Sequence, residues 1–160
     1  METVWSTYES PIGTLTLLSR GGPLCGVRFP GGAGLAAELR RPAELAAAAR
    51  QLDQYFAGER QRFGLEVELS GSPFQLAVWA QLREIPFGAT VSYGELARRL
   101  ELSEPQAARD VGSAVGQTPV PIVIPCHRVV GANGDLVGYG GGLDRKRTLL
   151  ALESSQLALL

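Results

Sequence analysis

Cys126 stands beside His127, the chain's only histidine. A thiol is the strongest soft nucleophile among the side chains, but it attacks as a thiolate and needs a base or a cation to form one. His127 would be that base, with one obstacle: neighbouring residues on a regular strand point to opposite faces. The stretch before them, PVPIVIP over residues 119–125, is apolar and broken by three prolines, so it is expected to be extended, at a sheet edge or in a tight channel. Either the prolines bend the chain at Cys126, or a water relays the proton. The alternative is a buried, inert cysteine, the common state of this residue in apolar surroundings.

Glu153 is the second suggestive group. It falls near the end of an expected closing helix over Leu143–Glu153, where a carboxylate meets the negative pole of the helix dipole and needs a compensating partner. His127 would be such a partner, and a carboxylate that fixes a histidine tautomer is a recurring arrangement. The alternative is a solvated surface glutamate. Tyr93 lies on an apolar helix face with Leu96, Ala97 and Leu100, so packing is its default role, with its hydroxyl able to reach outward. Cys25 alternates with Val27 and Phe29 toward an expected core.

The elements that must position these groups follow from periodicity and turn chemistry. Ser72 caps and Pro73 opens a helix whose apolar face is Phe74, Ala77, Val78 and Leu82; Pro86 and Gly88 stop it. Two capping boxes follow, Ser92 with Glu95 and Ser103 with Gln106, and predict two short helices in a helix-turn-helix. The second helix should bury Ala107, Ala108, Val111, Ala114 and Val115. Its outer face carries Arg109, Gly112, Ser113 and Gly116. Each glycine inside a helix costs about 1 kcal/mol against alanine. Two readings account for that cost: close packing inside the protein, or a face cut back for DNA with one arginine projecting from it. Asn133-Gly134 predicts a hairpin turn. The loop GYGGG over 138–142 lacks the Lys-Ser/Thr ending of a phosphate loop, so its glycines make room for something flat or for backbone turns.

The first seventy residues read differently. Ser10-Pro11-Ile12-Gly13 joins two strands, the second over residues 14–18, and Gly21-Gly22-Pro23 ends it. A third strand follows over 24–29, and a fourth is expected at 63–69, where Phe63, Leu65, Val67 and Leu69 alternate with polar or small residues. Between them Leu45, Ala48, Ala49, Leu52, Tyr55 and Phe56 share one helix face. The expected organisation is therefore an α/β (α+β) chain: a small N-terminal α/β domain over 1–70, and a mostly helical domain over 71–160 beyond the boundary Ser70-Gly71-Ser72-Pro73.

Composition narrows the function classes. Hydrophobic residues make up 45% and charged residues 19% of 160, which excludes wholesale disorder. The net charge of −1 excludes a global positive field for nucleic acid. Two cysteines and one histidine make neither a disulfide framework nor a four-ligand zinc cluster, so no metal and no cofactor is expected. The start METVWSTYES has no signal-peptide pattern, and no run is long and apolar enough to span a membrane; a soluble, cytoplasmic protein is expected.

From Phe74 to Glu153 the chain carries, in order, FQLAVW, IPFGATVSYGELA, AARDVG, PVPIVIPCHRVVGANG, GYGGGLDRKR and LLALE. This ordered set resembles the O6-alkylguanine-DNA alkyltransferases, the methylated-DNA–protein-cysteine methyltransferases, and the likeness covers essentially the whole length. The resemblance implies a small antiparallel N-terminal sheet with a helix, of RNase H-like type. It implies direct reversal of damage in duplex DNA: the alkyl group on O6 of guanine, usually methyl, passes irreversibly to Cys126 in a single turnover. O4-alkylthymine is implied as a secondary substrate. His127 matches the residue that deprotonates the cysteine through a water, Glu153 the carboxylate that orients the histidine, and Tyr93 the tyrosine that helps rotate the nucleotide and protonate the leaving guanine. Arg109 matches the arginine that intercalates where the flipped base had been. Ala108, Gly112, Ser113 and Gly116 match the recognition helix in the minor groove. Val129, Tyr139 and Gly140 match walls of the base pocket. Extrusion of the base fits the chemistry, since O6 inside the stack is out of reach of an in-line thiolate. The implied partner is double-stranded DNA bound by a monomer, with Arg98, Arg99 and Arg109 expected on the docking face.

The chain departs from the family's pattern at two places. Thr118 stands where the family usually has an asparagine that ties the recognition helix to the active-site strand, and threonine offers fewer hydrogen-bond partners. The turn between the two helices, LELSEP, also runs slightly longer. Two further classes remain open beside alkyl transfer. One is a damage binder on the same fold, against which the presence of Cys126 counts. The other is a Cys-His hydrolase or acyl transferase, which would need an oxyanion hole and many turnovers.

Overall fold

In a computed structural model, which describes residues 1–32 and 34–158, the chain forms two compact units, Met1–Leu69 and Ser70–Leu160. The first unit is built on an antiparallel meander of β1 (Thr3–Ser10), β2 (Gly13–Arg20) and β3 (Leu24–Arg28), in the order β1-β2-β3. Ser10 pairs with Gly13 across the Pro11-Ile12 turn, and the Ser10 hydroxyl closes it by donating to the Gly13 carbonyl at 2.6 Å. Helix α1 (Ala46–Phe56) buries Ala48, Leu52 and Tyr55, and with Leu15, Leu17 and Leu24 of the sheet these residues form the core of this unit.

Two details of this unit differ from the sequence reading. Leu18 pairs with Gly26 and Ser19 with Leu24, so Cys25 is the extra residue of a bulge. The bulge breaks the alternation that would have carried Cys25 into the core, and the thiol is half-buried. The segment 63–69 keeps its alternation, odd positions half-buried and even ones exposed, yet forms no strand. It meets β3 only around Leu24, which donates to the Glu66 carbonyl and accepts from the Glu68 amide, both at 2.9 Å. The buried Gln51 side chain holds its start instead, accepting from the Gly64 amide at 2.8 Å and donating to its carbonyl at 3.3 Å.

The second unit is mostly helical. Ser72 caps α2 (Pro73–Leu82) in a reciprocal box with Gln75. Val78, Trp79 and Leu82 are its buried side chains, whereas Phe74 and Ala77, expected in the core, are exposed. The Trp79 indole donates to the Ala114 carbonyl at 2.8 Å and so ties α2 to α4 (Ala107–Gly116). Before α4 comes α3 (Tyr93–Arg99), capped by the Ser92 hydroxyl, which accepts from the Glu95 amide at 3.0 Å. The reciprocal half of that box is not made, because the Glu95 carboxylate pairs with Arg99 at 2.8 Å. The second box fails altogether: α4 begins at Ala107 with no side-chain cap, so Ser103 lies in the connection and the turn between the helices covers residues 100–106. Helices α3 and α4 still pack on each other as a helix-turn-helix.

The proline-rich stretch is not extended. Pro121 and Ile124 bridge across a tight turn with Ile122 at φ 75°, and Val120, Pro121, Ile122, Ile124 and Pro125 are buried. A 3-10 turn over Cys126–Arg128 follows, and then β5 (Val129–Val130), which pairs in parallel with β4 (Val91–Ser92). Asn133-Gly134 does form a turn, closed by the Gly131 amide on the Asp135 carbonyl at 2.7 Å, but no returning strand makes it a hairpin. Helix α5 spans Leu143–Ala158, past the expected end at Glu153; the stretch after it, 154–160, reads in the sequence as a short tail or a frayed helical turn, and its last two residues, 159 and 160, lie outside the described residues. No helix among the described residues is long and apolar enough to cross a membrane.

Candidate active site and nucleic-acid interface

A 3-10 turn stands where a strand would have pointed neighbouring side chains to opposite faces. Cys126, His127 and Arg128 occupy successive positions of one tight turn, with the Cys126 amide bonded to the Ile124 carbonyl at 2.7 Å, and all three side chains are buried. Burial pushes the Cys126 thiol up to about 11, against the pull of the Thr118 and Tyr139 hydroxyls, a backbone amide and the Lys146 ammonium. At rest the sulfur is therefore a thiol, surrounded by groups that would stabilise it as an anion.

Glu153 is 1% exposed, so the solvated-surface alternative fails, and so does the dipole argument, since α5 continues beyond it. Its Oε2 lies 2.7 Å from His127 Nε2. The Arg128 guanidinium grips the same carboxylate, Nε to Oε1 at 2.8 Å and Nη2 to Oε2 at 2.9 Å, and Nη1 donates to the Ile85 carbonyl at 2.7 Å. The Gly88 amide also donates to Oε1 at 3.2 Å. Although burial works against ionisation, hydrogen bonds from His127 and Arg128 hold the Glu153 carboxyl well below the usual range. Burial lowers His127 despite the carboxylate, so the imidazole is neutral. Its Nδ1 is buried and makes no hydrogen bond among the described residues.

The sequence marks Lys146 only as one of three basic residues, with Arg145 and Arg147, near the start of the closing helix, yet it belongs to this site. It is fully buried, with Nζ donating to the Val137 and Gly138 carbonyls at 3.0 and 3.2 Å and lying 5.9 Å from the Tyr93 ring centre. One signal was available: it is the only lysine in a chain that otherwise uses arginine. Tyr93 is half-buried, and its hydroxyl donates to the Val137 carbonyl at 3.2 Å. Loop 137–142 is thus held by two donors beside Cys126. Within it Tyr139 is half-buried and Gly140 exposed, while Val129 is fully buried in β5. Arg128, too, went unmarked in the sequence, because a buried arginine has no local signature.

Helix α4 presents a second surface. Ala107, Val111, Ala114 and Val115 face the core, whereas Ala108, expected among them, is exposed with Arg109, Ser113 and Gly116. A Cβ on Gly112 would make ordinary contact with the Tyr93 ring at 3.5 Å, whereas one on Gly116 would meet nothing within 4 Å, so neither glycine is required by packing inside the protein. Thr118 closes the helix by donating to the Val115 carbonyl at 2.6 Å, and its oxygen also neighbours the Cys126 sulfur. Arg98 and Arg99 are exposed on α3, with Arg99 paired to Glu95. No three potential ligands come together as a metal site among the described residues.

Comparison with known proteins gives a consistent result. Residues 3–69 match the model of the 6-O-methylguanine DNA methyltransferase ribonuclease-like domain, and residues 73–155 that of the DNA binding domain of the same name. A methylated-DNA–protein-cysteine methyltransferase of Mycolicibacterium paratuberculosis is 50% identical over 155 residues, 93% of this chain and 91% of that protein. The crystal structure of Mycobacterium tuberculosis O6-methylguanine methyltransferase superposes with a TM-score of 0.88 at 44% identity, covering 99% of each chain. A structure of the M. tuberculosis protein OGT in complex with DNA is 46% identical, with a TM-score of 0.88 over 95% of this chain and 93% of that one.

Proposed function

The chain belongs to the 6-O-methylguanine DNA methyltransferase family, and from that premise we propose that it repairs duplex DNA by moving an alkyl group from O6 of guanine to its own Cys126. The domain over 71–160 carries both the acceptor and the DNA-binding helix, and the protein works as a monomer in the cytoplasm, where its DNA substrate is. It docks through α4 in the minor groove, and Arg109 fills the space left by the extruded nucleotide.

The observation that carries this reading is the state of His127. Its Nε2 is committed to Glu153, and its Nδ1, buried and without a hydrogen bond among the described residues, is the basic nitrogen on the residue next to the thiol. The proton of Cys126 passes through a water to Nδ1. The thiolate sulfur bonds to the alkyl carbon, the carbon–O6 bond breaks, and its electron pair goes to the guanine. Tyr93 supplies the proton that neutralises the leaving base, and the Lys146 ammonium, 5.9 Å from the Tyr93 ring, stabilises the tyrosinate. A thioether cannot be returned to thiol by these groups, so each molecule reacts once. Val129, Tyr139 and Gly140 line the space for the base.

The test is intact mass before and after incubation with a duplex carrying one O6-methylguanine. The expected result is one methyl in place of the thiol proton, on the Cys126 peptide, never more than one, and none in Cys126→Ala. No gain with tight lesion binding retained would make the protein a damage binder; repeated turnover with an unmodified cysteine would make it a hydrolase.

A further inference from the structure

Arg128, we infer, is a positioning residue for the transfer: it fixes which nitrogen of His127 carries the proton and keeps that imidazole neutral. The inference rests on the alkyl-transfer reading and deepens it. Each oxygen of Glu153 is filled by two donors. Oε1 accepts from Arg128 Nε at 2.8 Å and the Gly88 amide at 3.2 Å; Oε2 accepts from Arg128 Nη2 at 2.9 Å and faces His127 Nε2 at 2.7 Å. An ionised carboxylate only accepts, so Nε2 must carry the hydrogen and Nδ1 is left bare for the thiol proton. Without the arginine fork the carboxylate would lose the contacts that set its plane, and with them the orientation of the ring.

The guanidinium is itself fixed at every edge. Nη1 donates to the Ile85 carbonyl at 2.7 Å, and the group lies 5.7 Å from the Phe87 ring centre. That places a permanent positive charge against the carboxylate that faces His127. A lone buried carboxylate at 2.7 Å would draw a proton onto the imidazole and destroy the base. The arginine offsets that pull. The other titratable or charged groups around His127 are Glu153 and Lys146 from α5 and Cys126 on its own turn; α2, which also packs on the turn, has none.

Because His127 is the only histidine, its two ring nitrogens can be followed by nitrogen-15 NMR without overlap. In the unaltered protein the expected signal is the neutral Nε2–H form, persisting well below the usual imidazole range. In Arg128→Met the pH of half-protonation should rise by about 1 to 3 units. The acid limb of the transfer rate should move up with it, and the Nδ1–H form should become detectable. Arg128→Lys, which keeps the charge but cannot bond both oxygens and the Ile85 carbonyl at once, should fall between; it also serves if the methionine variant does not fold. A folded variant whose His127 titration and tautomer match the unaltered protein overturns the inference, even if its rate is lower. If the unaltered protein takes up no alkyl group, the alkyl-transfer reading fails separately, and the NMR titration still decides the role of Arg128.

Discussion

His127 Nε2 lies 2.7 Å from Glu153 Oε2 with both side chains out of contact with solvent, so the sequence separation of 26 is closed by a buried, charge-assisted hydrogen bond. That contact joins the turn that carries the thiol to α5, so one residue is expected to affect both rate and stability.

Replacing Glu153 by Gln should slow alkyl transfer by at least about tenfold, because an amide neither holds the ring through the same charge nor stabilises the imidazolium. It should also cost roughly 3 kcal/mol, since Arg128 is left buried without its counter-charge. Stopped reaction with lesion duplex and urea unfolding measure the two. An unchanged rate at an unchanged stability would remove Glu153 from the site.

The buried thiol predicts an alkaline weakness. Cys126 is raised from 9.0 to about 11 in the fold, so the neutral thiol is the form the fold favours. Its contribution is complete below pH 9, the unfolded value, and is lost as pH rises from there through about 11. Two pH units correspond to about 2.7 kcal/mol, an order-of-magnitude figure. Urea unfolding at a series of pH values should show this loss in the unaltered protein and much less of it in Cys126→Ser.

Lys146 should matter to transfer more than to folding of the remaining helix. Lys146→Met removes the one ammonium near both Cys126 and Tyr93, and transfer should fall by roughly tenfold or more at neutral pH. A rise of the rate with pH that is displaced to more alkaline values than in the unaltered protein would mark the effect as one on the thiolate.

Arg109 is exposed on α4. Arg109→Ala should weaken repair of duplex substrate by about a hundredfold while leaving reaction with free O6-alkylguanine base within about threefold, since only the duplex needs its gap filled. Equal losses on both substrates would count against intercalation.

Gly116 has open space where a Cβ would be. Gly116→Ala should therefore stabilise the protein by about 0.5 kcal/mol while reducing DNA affinity, because the small residue serves an outside surface. A variant both more stable and equally tight on DNA would assign the glycine no role at that surface. The same change at Gly112 would set the methyl in ordinary contact with the Tyr93 ring at 3.5 Å, so it should be stabilising as well.

Much of this chain was legible before its fold. The candidate nucleophile and the candidate base beside it stand out by residue type, and the ordered motifs from Phe74 to Glu153 identify the family. Helix α1 follows from apolar spacing and the start of α2 from Ser72-Pro73, because amphipathic burial and capping are local effects, whereas the buried face of α2 was set by its neighbours. The features that failed depend on more than their own window. Ser103 and Gln106 have capping-box spacing, yet α4 starts at Ala107 once packing on α3 sets its position. Residues 63–69 have a strand's alternation but meet β3 only at Leu24, since a ladder needs a partner edge and the bulge at Cys25 interrupts that edge.

The sequence by itself determined which groups are available: a thiol beside the one imidazole, one lysine and an arginine on a small-residue helix. Tertiary structure alone decided how they are used. It bent the proline stretch into a turn, buried Glu153 where spacing allowed a surface charge, and brought Arg128 and Lys146 to the site. The physical reason is that the strength of a charge depends on the water removed from around it, and no local pattern records how much water the fold will exclude.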